Sequence, residues 1–452
     1  MNYQERLLKV IPGGAHTYSR GFDQFPANAP QILERGNGVY AYDLKGSKYL
    51  DYGMALRAVN IGYAEDEIDS AAINEIRKGN NLTRPSLVEL EAAELLVDLI
   101  DSVDMVKFTK NGSTAVSAAV KLARAFTGRD LIARCQQQPF FSYDDWFIGS
   151  TPVTRGIPKE IISKTKMFSY NDIKSLENII LQFPGEIACV VLEPAASECP
   201  SINSYGNGCC GLAKCSREFT SGNRNYLQQV QDLCEKNGIV FILDEMITGF
   251  RWHLKGAQYS YGIKPDLSTF GKAMANGYSV ACVAGRREIM ELGSIEFEDR
   301  ERVFLLSTTH GAEMAGLGAF IATTKFMQKN NVINHLWQYG NQLTGLIRKK
   351  ANEFGIPDSF KVGGAACSPW YQTFDLNGAP SLELRTLFSQ EMINNGVLMP
   401  WIAVAFRHTA EELSVTEQAL EKTFFVYKKA LEEGVDKYLV GPPIKPVFRK
   451  YN

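Results

Sequence analysis

The sequence has no apolar run long enough to cross a membrane. Its opening, MNYQERLLKVIPGG, lacks the parts of a secretory signal. It has almost no net charge, since 48 Lys and Arg stand against 50 Asp and Glu. That balance argues against nucleic acid and anionic membrane as partners. Histidine is scarce, and His16, His253, His310, His335 and His408 have no metal-ligand spacing, so no metal is expected. There is no Ser/His/Asp set, no internal repeat and no low-complexity tract. Nine cysteines without a secretory signal predict free thiols in a reducing cytoplasm. What is present is an ordinary globular composition, 45% hydrophobic and 22% charged, long enough at 452 residues for two or three structural units.

The most informative stretch runs from Val240 to Ala284. Four apolar residues, Val240 to Leu243, lead into Asp244 and Glu245. A short apolar run ending in acids reads as a buried parallel strand that delivers them to the carboxyl edge of a sheet, where open α/β sheets bind ligands. Downstream, PDLSTFGKA sets Lys272 in a mostly apolar, Gly-flanked turn. Alone, such an Asp is commonly a helix cap or a Mg²⁺ ligand, and such a Lys a solvated surface group. Together they are what pyridoxal phosphate (PLP) chemistry needs. The lysine forms a Schiff base with the cofactor aldehyde, and a carboxylate keeps the pyridine nitrogen protonated.

Other segments have the same strand-then-site arrangement. The predicted strand Met105–Thr109 runs into Asn111, Gly112, Ser113 and Thr114, then a helix to about Thr127. Amides and hydroxyls at a helix N-terminus suit a phosphate, although a plain capped helix looks the same in sequence. The apolar run Ile187–Leu192 ends in Glu193 and Pro194. Residues 39–52 read as a hairpin, 85–100 as an amphipathic helix, and 131–135, 279–286 and 302–307 as strands. Helices are predicted over about 225–236 and in two stretches of 312–354, followed by strand–helix–strand–helix over 358–440.

DEMITGFR together with PDLSTFGKAMANG resembles the signature of class III (fold-type I) PLP-dependent aminotransferases, most closely the glutamate-1-semialdehyde aminomutase-like branch. The resemblance extends over roughly residues 10–435. It implies an α/β fold, with a large domain on a mainly parallel sheet and a small C-terminal α+β domain. The expected divisions are an N-terminal segment (1–70), the PLP-binding domain (71–320), the small domain (321–440) and a tail (441–452).

The resemblance also implies roles. Lys272 carries the cofactor and Asp244 pairs with its ring nitrogen. Gly112, Ser113 and Thr114 hold the phosphate, although Asn-Gly-Ser-Thr-Ala here replaces the family's Ser-Gly-Thr-Glu-Ala. Met246 packs on one ring face and Glu193 lies near the cofactor. The family's stacking Tyr-His-Gly is replaced by QQQPFFSYDDWF, which assigns the stacking ring to Phe140, or to Phe141 if the register slips. Gln136–Gln138 reads as an insertion. Thr308, or Thr309, reaches the cofactor phosphate of the other subunit, which implies a homodimer with shared active sites. Arg20 stands where the branch has an arginine on the substrate carboxylate. Arg57, in GMALRAVNIGY, is a departure whose substrate contact is unspecified, and Arg407 is either a substrate contact or a solvated charge.

Cys199, Cys209, Cys210 and Cys215 fall in a Gly/Ser/Asn-rich insertion without Cys-x-x-Cys spacing, so incidental thiols are expected in preference to zinc. The expected activity is transfer of an amino group from an amino acid, glutamate foremost, to an aldehyde or ketone. GMALRAVNIGY and YDDWF resemble homologues of surface-sugar biosynthesis, which makes a sugar or sugar-acid acceptor an expectation. The alternatives are an intramolecular aminomutase, a decarboxylase or racemase on the same fold, and a non-catalytic homologue.

Overall fold

The computed structural model describes residues 2–195, 198–201, 224–311 and 313–452. In chain order the strands are β1 (Leu33–Asn37), β2 (Tyr40–Asp43), β3 (Lys48–Asp51), β4 (Met105–Thr109), β5 (Leu131–Cys135), β6 (Thr165–Phe168), β7 (Ile187–Leu192), β8 (Val240–Asp244), β9 (Leu267–Phe270), β10 (Ala281–Gly285), β11 (Phe360–Gly363), β12 (Trp370–Thr373) and β13 (Val397–Leu398). The chain forms two compact units, one holding residues 66–333 and the other everything up to Glu65 together with Asn334–Asn452.

The first of these is built on a seven-stranded sheet in the order β4-β10-β9-β8-β7-β5-β6. Only β10 runs antiparallel to its neighbours. β5, β7 and β8 are buried at every position, and their sequences are apolar but for Arg134 in β5 and Asp244 at the end of β8. The helix Gly112–Thr127 buries Ala115, Ala118, Ala119 and Ala123, small side chains that let it lie close on the sheet. It stops at Gly128, whose φ of 67° provides the left-handed turn that ends it.

Topology places the site. With β10 reversed, the strands β4 to β9 all point the same way. Their carboxyl ends therefore share one edge, from which leave Asn111–Ser113, Gln136–Phe140, Glu193, Asp244–Met246 and Lys272.

The other unit contains β1-β2-β3-β13, with β13 parallel to β3, and the hairpin β11-β12. The residues up to Glu65, within the expected N-terminal segment, group with the C-terminal elements. The pairing of Val397 and Leu398 with Leu50 and Asp51, far apart in sequence, is the reason. A second difference concerns 302–307, expected as a strand. Among the described residues no strand lies between Gly285 and Phe360. Phe304 is 65% exposed, and Lys121 Nζ caps its carbonyl at 2.9 Å.

Among the described residues no helix is long and apolar enough to cross a membrane, and no cluster of His, Cys, Asp or Glu is arranged to hold a metal ion.

Candidate active site

Asp244 is 2% exposed at the end of β8. Its Oδ1 accepts the Met246 N–H at 2.9 Å and the Thr269 hydroxyl at 3.2 Å. Burial raises its pKa to about 6, opposed by the charge of Lys272 and by those two hydrogen bonds. Lys272 follows β9 and opens a short 3-10 turn, Lys272–Ala275, with a left-handed φ of 45°. For a non-glycine residue that conformation costs about 1–2 kcal/mol, and such strain is common where a backbone is set by function.

Met246 joins three motifs. A Cβ added at Gly112 would come within 2.8 Å of the Met246 sulfur, and one added at Gly271 within 2.6 Å. The thioether also packs on Ala115 and Ala281. The phosphate-loop candidate and the lysine turn therefore meet on the Met246 side chain, while the Met246 backbone N–H binds the strand-end acid. At both glycines a methyl group would meet the sulfur, so an added side chain would have to displace the methionine.

At the head of Gly112–Thr127, Asn111 is the N-cap. Its side-chain oxygen takes the Thr114 N–H at 2.9 Å and the Thr114 hydroxyl at 3.0 Å. Thr114 is thus engaged locally, which leaves the Gly112 and Ser113 amides as the helix-end donors for an anion. The Ser113 hydroxyl accepts the Tyr143 N–H at 3.2 Å and keeps its own proton to donate.

Phe140 is 48% exposed, with its ring edge-on to Phe147, whereas Phe141 is buried against the same ring. Of the two, Phe140 is the one with a ring face to offer. Glu193 is buried and lies one residue beyond the Leu192–Leu243 pair, so it leaves β7 beside Asp244. Its backbone is bonded twice by the Gln138 carboxamide. Thr308 and Thr309 are exposed, and Asn81 Nδ2 donates to the Thr309 carbonyl at 2.8 Å.

Arg20 and Arg57 belong to the other unit. Arg20 is exposed at the end of the turn Tyr18–Arg20. Arg57 closes an unusual element, a left-handed turn Met54–Arg57 with φ values of 40°, 49°, 63° and 65°. Asp51 anchors it, accepting the Gly53 N–H at 2.6 Å and the Tyr63 hydroxyl at 2.7 Å, while Trp401 Nε1 donates to the Gly53 carbonyl at 2.8 Å. Arg407 is exposed and paired with Glu65, its Nε 3.0 Å from Oε2, so its charge is solvated and partnered. Cys199 is buried, and Cys209, Cys210 and Cys215 lie outside the described residues.

Sequence reading missed Thr269, Gln138 and Asp51. Only Thr269 left a local signal, being set three residues before Lys272.

A model of the family described as aminotransferase class-III matches residues 23–430. The chain belongs to that family. A class-III aminotransferase is a PLP-dependent enzyme that moves an amino group between small molecules, and the residues here fit the cofactor. A helix-end amide pair suits a phosphate, a buried anchored carboxylate suits a ring nitrogen, and an amine charge acts on that carboxylate.

The 3-aminobutyryl-CoA aminotransferase of Cloacimonas acidaminovorans is 31% identical over 436 residues, covering 95% of this chain and 98% of that protein. The glutamate-1-semialdehyde 2,1-aminomutase of Archaeoglobus fulgidus is 30% identical over 442 residues, covering 92% and 97%. Such similar identities do not separate the two branches. In fold, the chain is similar to the PLP internal aldimine form of the FumI protein of Sphingopyxis sp. MTA144. That match has a TM-score of 0.82 at 24% identity and covers 95% of this chain and 97% of that one.

Proposed function

We propose that this class-III enzyme is an aminotransferase that takes an amino group from an amino acid, glutamate foremost, and passes it to a small aldehyde or ketone. The observation that carries the reading is the meeting of three segments on Met246, with the charge of Lys272 acting on the Asp244 carboxylate.

Bound there, PLP supplies an aldehyde that takes up an amine and a ring that accepts the electron pair left at the amine-bearing carbon. Lys272 is the catalytic residue of this reading. Its Nζ would hold the cofactor through the aldehyde and, once free, would serve as the base that moves the proton at the amine-bearing carbon. Asp244 keeps the ring nitrogen protonated, and the hydrogen bonds from Met246 and Thr269 hold its carboxylate in one orientation. The Gly112 and Ser113 amides would hold the phosphate, and Phe140 and Met246 would exclude water from the ring. Glu193 lines the acid side of the site. Arg20 and Arg57 supply guanidinium groups for the carboxylate of an acidic substrate.

The finer proposals are a sugar or sugar-acid acceptor, supported by GMALRAVNIGY and YDDWF, and a homodimer in which Thr308 serves the other subunit's phosphate. The exposure of Thr308 within the protomer supports the second. Intramolecular amino transfer is the second reading, favoured by the aminomutase of Archaeoglobus fulgidus among the relatives.

The test is an absorbance titration of the holoenzyme with single amino donors. Loss of the visible band of lysine-bound cofactor with one donor, in the absence of any acceptor, supports the aminotransferase and identifies the donor. A band that no external donor discharges favours the aminomutase. Lys272→Ala is expected to abolish turnover.

A further inference from the structure

We propose that Gln138 is a positioning residue of the cofactor site, fixing Glu193 and the Phe140 ring relative to each other. The proposal rests on the assignment of the PLP site made above. The run Gln136–Gln138 leaves the carboxyl end of β5, and each glutamine is tied to a different bond. Gln136 Nε2 donates to Ser169 Oγ at 2.9 Å. Gln137 Oε1 accepts the Tyr170 N–H at 3.0 Å. Gln138 Oε1 accepts the Glu193 N–H at 2.7 Å, and its Nε2 donates to the Glu193 carbonyl at 2.7 Å.

Two such bonds occupy both the N–H and the carbonyl of one residue, as a neighbouring strand would. The Gln138 side chain therefore continues the tie between the β5 and β7 segments past the point where their backbones stop pairing. On the next residue, the Tyr170 hydroxyl donates to the Pro194 carbonyl at 2.6 Å. Glu193-Pro194 is thus held by three short bonds from two buried side chains. A buried carboxamide is costly unless both its ends are paired, and here both are. An apolar side chain of similar volume would fill the space but would not fix the β7 exit along the strand direction. Pro139 restricts its own φ and the conformation of Gln138 before it, so the anchor reaches Phe140 through a short, stiff path. One side chain thereby sets the separation between the ring-face residue and the acid edge formed by Glu193 and Asp244.

The experiment compares the parent with Gln138→Met, which keeps most of the volume and loses the amide. After cofactor removal, PLP affinity is read by quenching of protein fluorescence. The visible circular dichroism of rebound cofactor reports its orientation, and apoprotein melting is followed alongside. The expected result is PLP binding weakened about tenfold, with reduced circular dichroism and an apoprotein that still melts cooperatively near the parent midpoint. Affinity and circular dichroism equal to the parent would overturn the proposal, as would a fall in melting alone. Tyr170→Phe removes one bond from the same dipeptide and is expected to shift affinity in the same direction by less. If Gln138→Met does not fold, Tyr170→Phe decides, and parent-like affinity overturns the proposal. Asp244→Asn separates the two layers of the argument. Weak PLP binding in Asp244→Asn with parent-like Gln138→Met sinks only the role of Gln138. Parent-like binding in Asp244→Asn removes the cofactor assignment, and the proposal with it.

Discussion

Asp244 and Thr269 face each other across the parallel pair β8 and β9, and the Thr269 hydroxyl donates to Asp244 Oδ1 at 3.2 Å. Lys272 lies three residues beyond Thr269, so the strand register that seats the threonine on the acid also delivers the lysine charge to it.

A pH dependence follows from that environment. Burial holds the Asp244 pKa near 6, above the ordinary 3.8, so the folded cofactor-free protein binds this proton more tightly than the unfolded chain does. The contribution of this group to folding is therefore fully present below about 3.8 and is lost as pH rises through about 6. The cofactor reading needs the anion, so PLP affinity of the apoprotein should fall as pH drops through about 6. Fluorescence titrations across that range check it, and in Asp244→Asn the pH step should disappear.

The Met246 wedge makes Gly271→Ala informative. An added methyl at 2.6 Å from the sulfur forces the methionine to move, a kind of overpacking that costs about 1–3 kcal/mol. Chemical denaturation should show that loss. Because the obstacle is a flexible side chain, the double variant Gly271→Ala with Met246→Ala should lose less than the sum of the two single losses. Strict additivity would mean that the two groups do not touch.

The left-handed turn Met54–Arg57 predicts an inverted glycine effect. Glycine in an ordinary helix destabilises it, but at a left-handed position the relief of about 1–2 kcal/mol exceeds the entropic cost of roughly 0.5–1 kcal/mol. Ala55→Gly is therefore expected to raise the melting midpoint slightly. Tyr63→Phe removes the hydroxyl from the buried Asp51 carboxylate and should cost about 1–3 kcal/mol. Ala55→Gly added to Tyr63→Phe should recover part of that loss.

Glu245, adjacent to Asp244, has a different task. Its carboxylate accepts the Ala257 and Gln258 N–H groups at 3.0 and 2.9 Å and a short bond from the Thr248 hydroxyl. It therefore organises the start of the helix Gly256–Tyr261. Glu245→Ala should lower stability by about 1–3 kcal/mol, while PLP affinity of the protein that remains folded stays near that of the parent.

The recognisable parts of the site are those whose chemistry lies in consecutive residues. An apolar strand ending in Asp244, a glycine before Lys272 and a Gly-Ser helix start each constrain their own backbone, so they could be read in order along the chain. Phe140 and Phe141 differ in burial, one 48% and the other 2% exposed, a difference that adjacent phenylalanines do not reveal in sequence because it depends on tertiary packing. The 302–307 run has strand composition but no strand to pair with among the described residues, and composition cannot supply a partner.

The sequence by itself determined the family, the strands β4, β5, β7, β8 and β10, and the residues at the carboxyl ends of β4, β7, β8 and β9. Tertiary structure decided which of those ends become neighbours, and hence that Met246 fills the space left by Gly112 and Gly271. It also turned a glutamine run that looked like an insertion into a set of ties between strand ends, and bent Met54–Arg57 into a left-handed turn that local propensity opposes. The physical reason is the range of the interactions. Strand and helix preferences act over a few residues, whereas a buried amide or carboxylate takes whichever partner the packed fold brings to it, however distant in the chain.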